Sequence, residues 1–205
     1  MRIKKKVRNK RQLKTVYCVV VEGKTEHWYL QLIKKHEELP KIDIKPELPK
    51  RKGLNEIKKF VIDLFKKDYD QIFWLIDLDH FINSYQTDKL KKVIIFLKKK
   101  DKLKKLKILI NNPCLEFWYL LHFCDTGKCY PTCEEVVKEI KKYEPLSGYK
   151  KSERYYKGNP DIYRKLKPYQ KEAIEVAKRL DRLIEEPLDG ASAQIYKLLE
   201  ALGIT

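Results

Sequence analysis

The sequence predicts an α/β fold, a mostly parallel sheet flanked by helices with a C-terminal helical extension, and three observations carry that expectation. Apolar runs alternate with amphipathic helical segments from Thr15 to Ile110, the pattern of successive βαβ units. Two of those runs, TVYCVVVEGKTE at Thr15–Glu26 and QIFWLIDLDH at Gln71–His80, stop abruptly in acidic residues. Beyond Tyr143 the pattern changes to a basic loop followed by helices. The expected organisation is a flexible basic arm over 1–14, an α/β core over 15–143, and a loop with C-terminal helices over 144–205 that packs on the core.

Taken in order, the first strand begins near Thr15. Gly23 supplies the turn after it, and Thr25 and Glu26 open a helix that sends Trp28, Tyr29, Leu32 and Ile33 inward at helical spacing. The string GKT lacks the earlier glycine of a GxxxxGK loop, because Cys18 stands five residues before Gly23; a P-loop is not expected. Lys24, at a helix N-terminus beside the acids, remains a candidate phosphate contact. Ile42–Leu48 reads as a short second strand weakened by Pro46 and Pro49, and RKGLNEIKKFVIDLFKK follows as loop and helix with Ile57, Phe60, Val61, Leu64 and Phe65 on its buried side. The third strand delivers Asp77 and Asp79. Asp88–Lys102 is a lysine-rich helix with Leu90, Val93, Ile94 and Leu97 as its apolar stripe, and Leu106–Ile110 is the fourth strand. Asn112 is expected to cap a helix over CLEFWYLLHF, with Pro113 at the first helical position. Thr132 and Glu135 form a capping box for a helix reaching Tyr143. Helices over Tyr169–Ile184 and Ser192–Leu202 close the chain, and Ala173, Ile174, Ala177, Leu180, Leu183 and Ile184 suggest docking of the first onto the sheet.

The acids at the strand ends carry the chemistry. Open α/β sheets bind ligands outside the carboxyl ends of their parallel strands, and Glu22, Asp77 and Asp79 all fall there. Residues two apart in an extended strand point to one side, so Asp77 and Asp79 are expected to aim together while Leu78 packs the other way. Clustered oxygen ligands suit Mg²⁺ or Mn²⁺. Glu116, one turn into an apolar helix after the fourth strand, is expected near the same sheet edge as a ligand or as a holder of one. A buried glutamate without a partner is costly, and pairing with backbone or an arginine is the competing reading. Each acid taken alone reads equally as a solvated strand end or helix cap.

The chain carries 46 Lys and Arg against 29 Asp and Glu, a net charge of +17. A basic surface around an acidic pocket fits a polyanion binder. Lys150, Lys151, Arg154, Tyr155 and Tyr156, interleaved in the Glu144–Pro160 loop, are candidates for gripping single-stranded nucleic acid by stacking and phosphate contact. No apolar stretch approaches the roughly 18 to 20 residues of a spanning helix. The N-terminus MRIKKKVRNKRQLK lacks the apolar core of a secretory signal, so a cytoplasmic protein without a membrane span is expected. Five cysteines in that setting predict reduced thiols rather than a disulfide framework. Cys114, His122, Cys124, Cys129 and Cys133 do not match the paired spacing of a zinc site.

EGKTE after the first strand and DLD in the third are similar to the Toprim signature, a glutamate in one motif and Asp-x-Asp in the other. NNPCLEFWYLLHF, Asn111–Phe123, resembles the stretch that marks the RloB-like (AbiLii-like) family of Toprim-related proteins, and SAQIYKLLEAL, Ser192–Leu202, resembles that family's closing helix. DGAS stands before it in place of the family's more usual Asn-Pro-Ser. The resemblance implies a Toprim-like core and a prokaryotic anti-phage effector paired with an ATPase encoded nearby.

These readings converge on a metal-dependent nuclease. Glu22, Asp77 and Asp79 would hold one or two Mg²⁺ or Mn²⁺ ions, with Glu26 and Glu116 completing the site or serving as general base. The alternative is a basic nucleic-acid-binding or regulatory subunit without catalysis, its acids paired with lysines.

Overall fold

A computed structural model describes residues 15–45, 53–185 and 188–204. The expected basic arm at 1–14, and the far end of the second strand with Pro46 and Pro49, lie outside the described residues. Five strands form one sheet in the order β2-β1-β3-β4-β5. β1 (Tyr17–Val20), β2 (Ile42–Lys45), β3 (Gln71–Asp77) and β4 (Leu106–Asn112) run parallel, and β5 (Ser192–Ala193) pairs antiparallel with β4. Between and after them come α1 (Lys24–His36), α2 (Leu54–Leu64), α3 (Asp79–Asn83), α4 (Thr87–Lys100), α5 (Leu115–Leu120), α6 (Cys133–Ile140), α7 (Glu153–Tyr156), α8 (Ile162–Leu166), α9 (Gln170–Leu183) and α10 (Ile195–Ala201).

Alternation along the strands divides the apolar residues between two layers. Cys18, Val20, Ile72, Trp74 and Ile76 pack on one face against Ile57, Val61 and Leu64 of α2 and Leu90, Val93 and Leu97 of α4. Val19, Phe73, Leu75 and Leu109 face the other way, onto α1, α5, α9 and α10. The segments beyond Glu144 add Leu146, Tyr149, Tyr156, Ile162 and Tyr163 to that second layer. The chain leaves β1 for β2 on one side and then crosses to β3 on the other, so the direction of winding reverses between β1 and β3. That reversal is where doubly wound sheets open a crevice at their carboxyl edge.

Several local expectations are corrected. β3 ends at Asp77; Leu78 adopts helical dihedrals (φ −83°, ψ −25°) and Asp79 is the first residue of α3. Asp77 and Asp79 are therefore related by a turn rather than by the pleat of one strand. The turn is pinned to β4, where the Leu78 N–H donates to the Asn111 carbonyl and the Asp79 N–H to that of Pro113. Asn112 is not a helix cap: it stays in β4, donates its side-chain amide to the Gly190 carbonyl at 2.8 Å, and leaves Cys114 in the cap position of α5. That helix ends at Leu120, and α6 at Ile140. Ser192 and Ala193 form β5 before the closing helix starts at Ile195. Leu183 points outward, 71% exposed, so α9 docks through Ala173, Ile174, Ala177 and Leu180 instead.

The reduced-thiol expectation is also overturned at one place. Cys114 and Cys133 are joined as a disulfide, because the N-termini of α5 and α6 pack side by side with a Cα–Cα distance of 5.7 Å. Cys18, Cys124 and Cys129 are free. Among the described residues no helix is long and apolar enough to cross a membrane.

Candidate active site

Glu22 follows β1, and Glu26 lies one turn into α1. The backbone between them must hug the Glu26 carboxylate: a Cβ on Gly23 would lie 2.2 Å from Glu26 Oε2. A side chain at Gly23 would have to push the Glu26 carboxylate aside, so glycine leaves that carboxylate in place, which is a different reason from the tight turn expected of it. Thr25 donates its hydroxyl to Glu26 Oε2 at 2.8 Å. On the neighbouring strand, Trp74 donates its indole N–H to Glu22 Oε1 at 3.1 Å, since Val20 and Trp74 are register partners. Asp77 ends β3 opposite Asn111 of β4 and accepts a hydrogen bond from the Asn111 amide at 3.2 Å.

Glu22, Glu26, Asp77 and Asp79 line one cavity of about 360 Å³, shared with Gly23, Thr25, His80, Asn83, Cys114 and Lys151. Glu116 sits fully buried just behind it. Its Oε1 accepts from the Tyr149 hydroxyl at 2.6 Å and pairs with Lys151 Nζ at 3.0 Å. Cys133 Sγ lies 3.0 Å from the other carboxylate oxygen. A disulfide sulfur carries no proton, so that approach is a packing contact, whereas Lys151 does donate to the sulfur at 3.1 Å.

The electrostatics reflect crowding. Burial, only partly offset by the Trp74 bond and reinforced by Glu26, pushes Glu22 up to about 7. Burial raises Glu26 as well, with Glu116 adding to the effect, and its carboxyl is hydrogen-bonded to that of Asp77. Asp77 is raised as well, first by burial and then by the charges of Glu26 and Glu116, against opposing hydrogen bonds from Leu115 and Asn111. Burial also lifts Asp79, although its bond from His80 and the charge of Lys151 pull the other way. Lys151 responds in the opposite sense: burial works against its charge, but Glu116, Asp77 and Asp79 outweigh that and hold it above the usual lysine range. Like charges this close raise one another's pKa until a proton or cation compensates them.

All five acids read from the sequence thus meet at one corner of the sheet. They do not form a ready-made single-ion cage. Among the described residues, the group of three or more potential ligands whose atoms lie within 4.8 Å of one another is Cys114, Glu116 and Cys133, and its sulfurs are spent on the disulfide. Glu22, Asp77 and Asp79 are spread more widely around the cavity, as the turn at Leu78 requires. His122, weighed as a zinc ligand, is buried against Trp118, with its Nδ1 2.9 Å from the Trp118 carbonyl and burial pushing it down to about 3.

The basic candidates separate. Lys24 is exposed at the start of α1, where its charge reaches Glu153. Lys151 faces the acids. Lys150, Arg154 and Tyr155 line a second cavity. Tyr156 is fully buried and bonded to the Tyr149 and Tyr119 hydroxyls, so it is core rather than a nucleic-acid contact. Sequence reasoning missed Asn111, Trp74, Tyr149 and Thr25 as partners of the acids. For Asn111 a signal existed, since it lies at the carboxyl end of the fourth strand as Asp77 lies at that of the third.

Fold and cavity together define a doubly wound α/β protein whose switch point is lined with carboxylates. The sequence model of the RloB-like protein family matches residues 17–202, nearly the whole chain, and the chain belongs to that family. No curated protein matches the chain at a significant level.

Proposed function

We propose that the chain is a metal-dependent phosphodiesterase acting on nucleic acid. The observation that carries the reading is the gathering of Glu22, Glu26, Asp77 and Asp79 around one cavity, with Lys151 as its lysine and with carboxyl pKa values driven upward. Uncompensated acids at a strand-end crevice are costly to maintain and call for a cation or a reaction that uses them. The donor set is all oxygen, which fits Mg²⁺ or Mn²⁺. Mg²⁺ usually keeps several waters and binds through one or two carboxylates, which agrees with ligands spread around the cavity.

Glu22, Asp77 and Asp79 would hold the cation, which when bound supplies Lewis-acid polarisation and a more acidic water. Glu26 shares a hydrogen bond with Asp77 and stands at the cavity wall, placed to take a proton from an entering water. Glu116 holds Lys151 at the cavity mouth, where the ammonium meets a phosphate oxygen. Asn111 orients Asp77 and Trp74 orients Glu22. The net charge of +17 gathers the polyanion. Following the family resemblance, the activity belongs to anti-phage defence and works with an ATPase encoded nearby.

The non-catalytic alternative requires the acids to be paired with lysines. Among the described residues this holds for Glu116 but for none of the other four. The test is cleavage of a panel of tRNA, single-stranded RNA and DNA, and plasmid in Mg²⁺ or Mn²⁺, by wild type and Asp77→Ala. Cleavage by wild type alone supports the reading, and equal cleavage by both sinks the site.

A further inference from the structure

The segment Gly148–Ser152 runs between two cavities. Tyr149 and Lys151 turn inward, and both reach Glu116 Oε1. Lys150 and Ser152 turn the other way and, with Gly148, Arg154, Tyr155, Gly158, Asn159, Pro160 and Lys165, line a separate cavity of about 390 Å³. No carboxylate is among the described residues lining it, in contrast to the acid-rich cavity on the inward side. One short turn segment, closed by the Ser152 N–H donating to the Lys150 carbonyl at 2.8 Å, therefore separates an anionic cavity from a cationic one.

We propose that the outer cavity is a backbone-phosphate subsite for a single strand of nucleic acid whose adjoining phosphodiester enters the acidic cavity. The inference rests on the reading of the acidic cavity as the reaction site. Lys150, Arg154 and Lys165 bring three cations to one concavity, and the planar guanidinium of Arg154 suits bidentate phosphate contact. Ser152 and Asn159 add neutral donors. Tyr155 does not serve as an open stacking platform. Lys165 Nζ lies 4.6 Å from its ring centroid and donates to its hydroxyl at 3.3 Å, while Tyr149 abuts it edge-on at 5.3 Å. Its place in the cavity is to hold Lys165, which leaves the recognition to charge and hence to the phosphate. Consecutive Cα atoms are about 3.8 Å apart, so Lys150 and Lys151 serve the two cavities from neighbouring positions. A strand that occupies both must bend sharply over the loop. A single strand does this readily, whereas a duplex with a persistence length of about 150 base pairs does not.

The test separates this subsite from the chemistry. Binding of labelled single-stranded RNA, single-stranded DNA and duplex DNA is measured by anisotropy in EDTA across a salt series. The proteins are wild type, Lys150→Ala/Arg154→Ala, and a charge-matched control, Lys89→Ala/Lys92→Ala, whose exposed lysines lie on α4 across the sheet. Loss of two phosphate contacts is expected to make the salt slope shallower by about 1.4 for single strands and to weaken binding about tenfold or more. The control is expected to move far less, and Arg154→Lys to fall between. Loss confined to the RNA or the DNA arm supports the subsite and identifies the sugar. Equal losses in the two double variants, no loss in either, or an equal loss on duplex would overturn the proposal. If the loop variant loses affinity as expected but wild type cleaves nothing with Mg²⁺, the subsite stands and the phosphodiesterase reading falls.

Discussion

Replacing Glu22 with Gln probes the acidic site without substrate or metal. Gln keeps an acceptor for the Trp74 indole N–H that Glu22 now receives at 3.1 Å, and removes the ionisation. The ordinary carboxyl value of 4.5 rises to about 7 in the folded protein, chiefly through burial. Below pH 4.5 the group is protonated in folded and unfolded chains alike. As pH climbs toward 7, the unfolded chain releases the proton while the folded one retains it, so stability falls with rising pH. Above 7 the full cost is in place. Each unit is worth about 1.4 kcal/mol, which sets a ceiling of about 3 kcal/mol on this one group, and its partial exposure brings the expected figure to about 1–3 kcal/mol. Urea unfolding in EDTA between pH 4.5 and 8.5 reads it directly. Wild type is expected to lose stability relative to Glu22→Gln across that window, leaving the variant the more stable at pH 8. A difference between the two that is constant with pH, or of opposite sign, would refute the assignment of a strained carboxylate at Glu22.

Asp77→Ala and Asp79→Ala are expected to abolish metal-dependent cleavage while leaving nucleic-acid affinity equal or higher, since removing acids lessens repulsion of the phosphates; paired cleavage and binding assays check this. Thermal melts with EDTA, Mg²⁺, Mn²⁺ and Ca²⁺ should show a rise in Tm as the cation passes its dissociation constant, by about 2.7 kcal/mol in stability at a hundredfold excess, and a blunted rise in Asp79→Asn. Gly23→Ala obliges the buried Glu26 carboxylate to shift away from the new methyl and is expected to cost about 1–3 kcal/mol in urea unfolding. Tyr149→Phe removes the 2.6 Å donor to the buried Glu116 and should cost about 1–3 kcal/mol by the same measurement. An unchanged midpoint would show that Lys151 alone satisfies that carboxylate.

The parallel strands and their order of appearance were legible because a strand covered on both faces must be apolar nearly throughout, as in QIFWLID. The acids stood out for the same reason: each interrupts such a run. The relation of Asp77 to Asp79 was not legible. Alternation presumes that the strand continues, and the turn at Leu78 depends on hydrogen bonds to the Asn111 and Pro113 carbonyls, more than thirty residues ahead in the chain. β5 escaped notice because two residues carry no periodicity, and its pairing with Asn111 and Asn112 is purely tertiary. Asn112 looked like a helix cap on local grounds, but its amide was claimed by Gly190. In the basic segment composition could not sort the residues, because Tyr155 and Tyr156 are adjacent and alike while only burial tells the outer cavity from the core. The Cys114–Cys133 bond had no signature in cysteine count and required the packing of α5 on α6.

The described margins of the sheet are short. One outer strand, Ile42–Lys45, is four residues long and bears the Asp43–Lys45 ion pair at 3.3 Å, and the other, Ser192–Ala193, offers two residues. Strand addition draws its affinity from a row of main-chain hydrogen bonds, and short, charged margins deny that row to an incoming chain. Contacts made through these described margins would therefore rest on side chains more than on a long row of backbone hydrogen bonds.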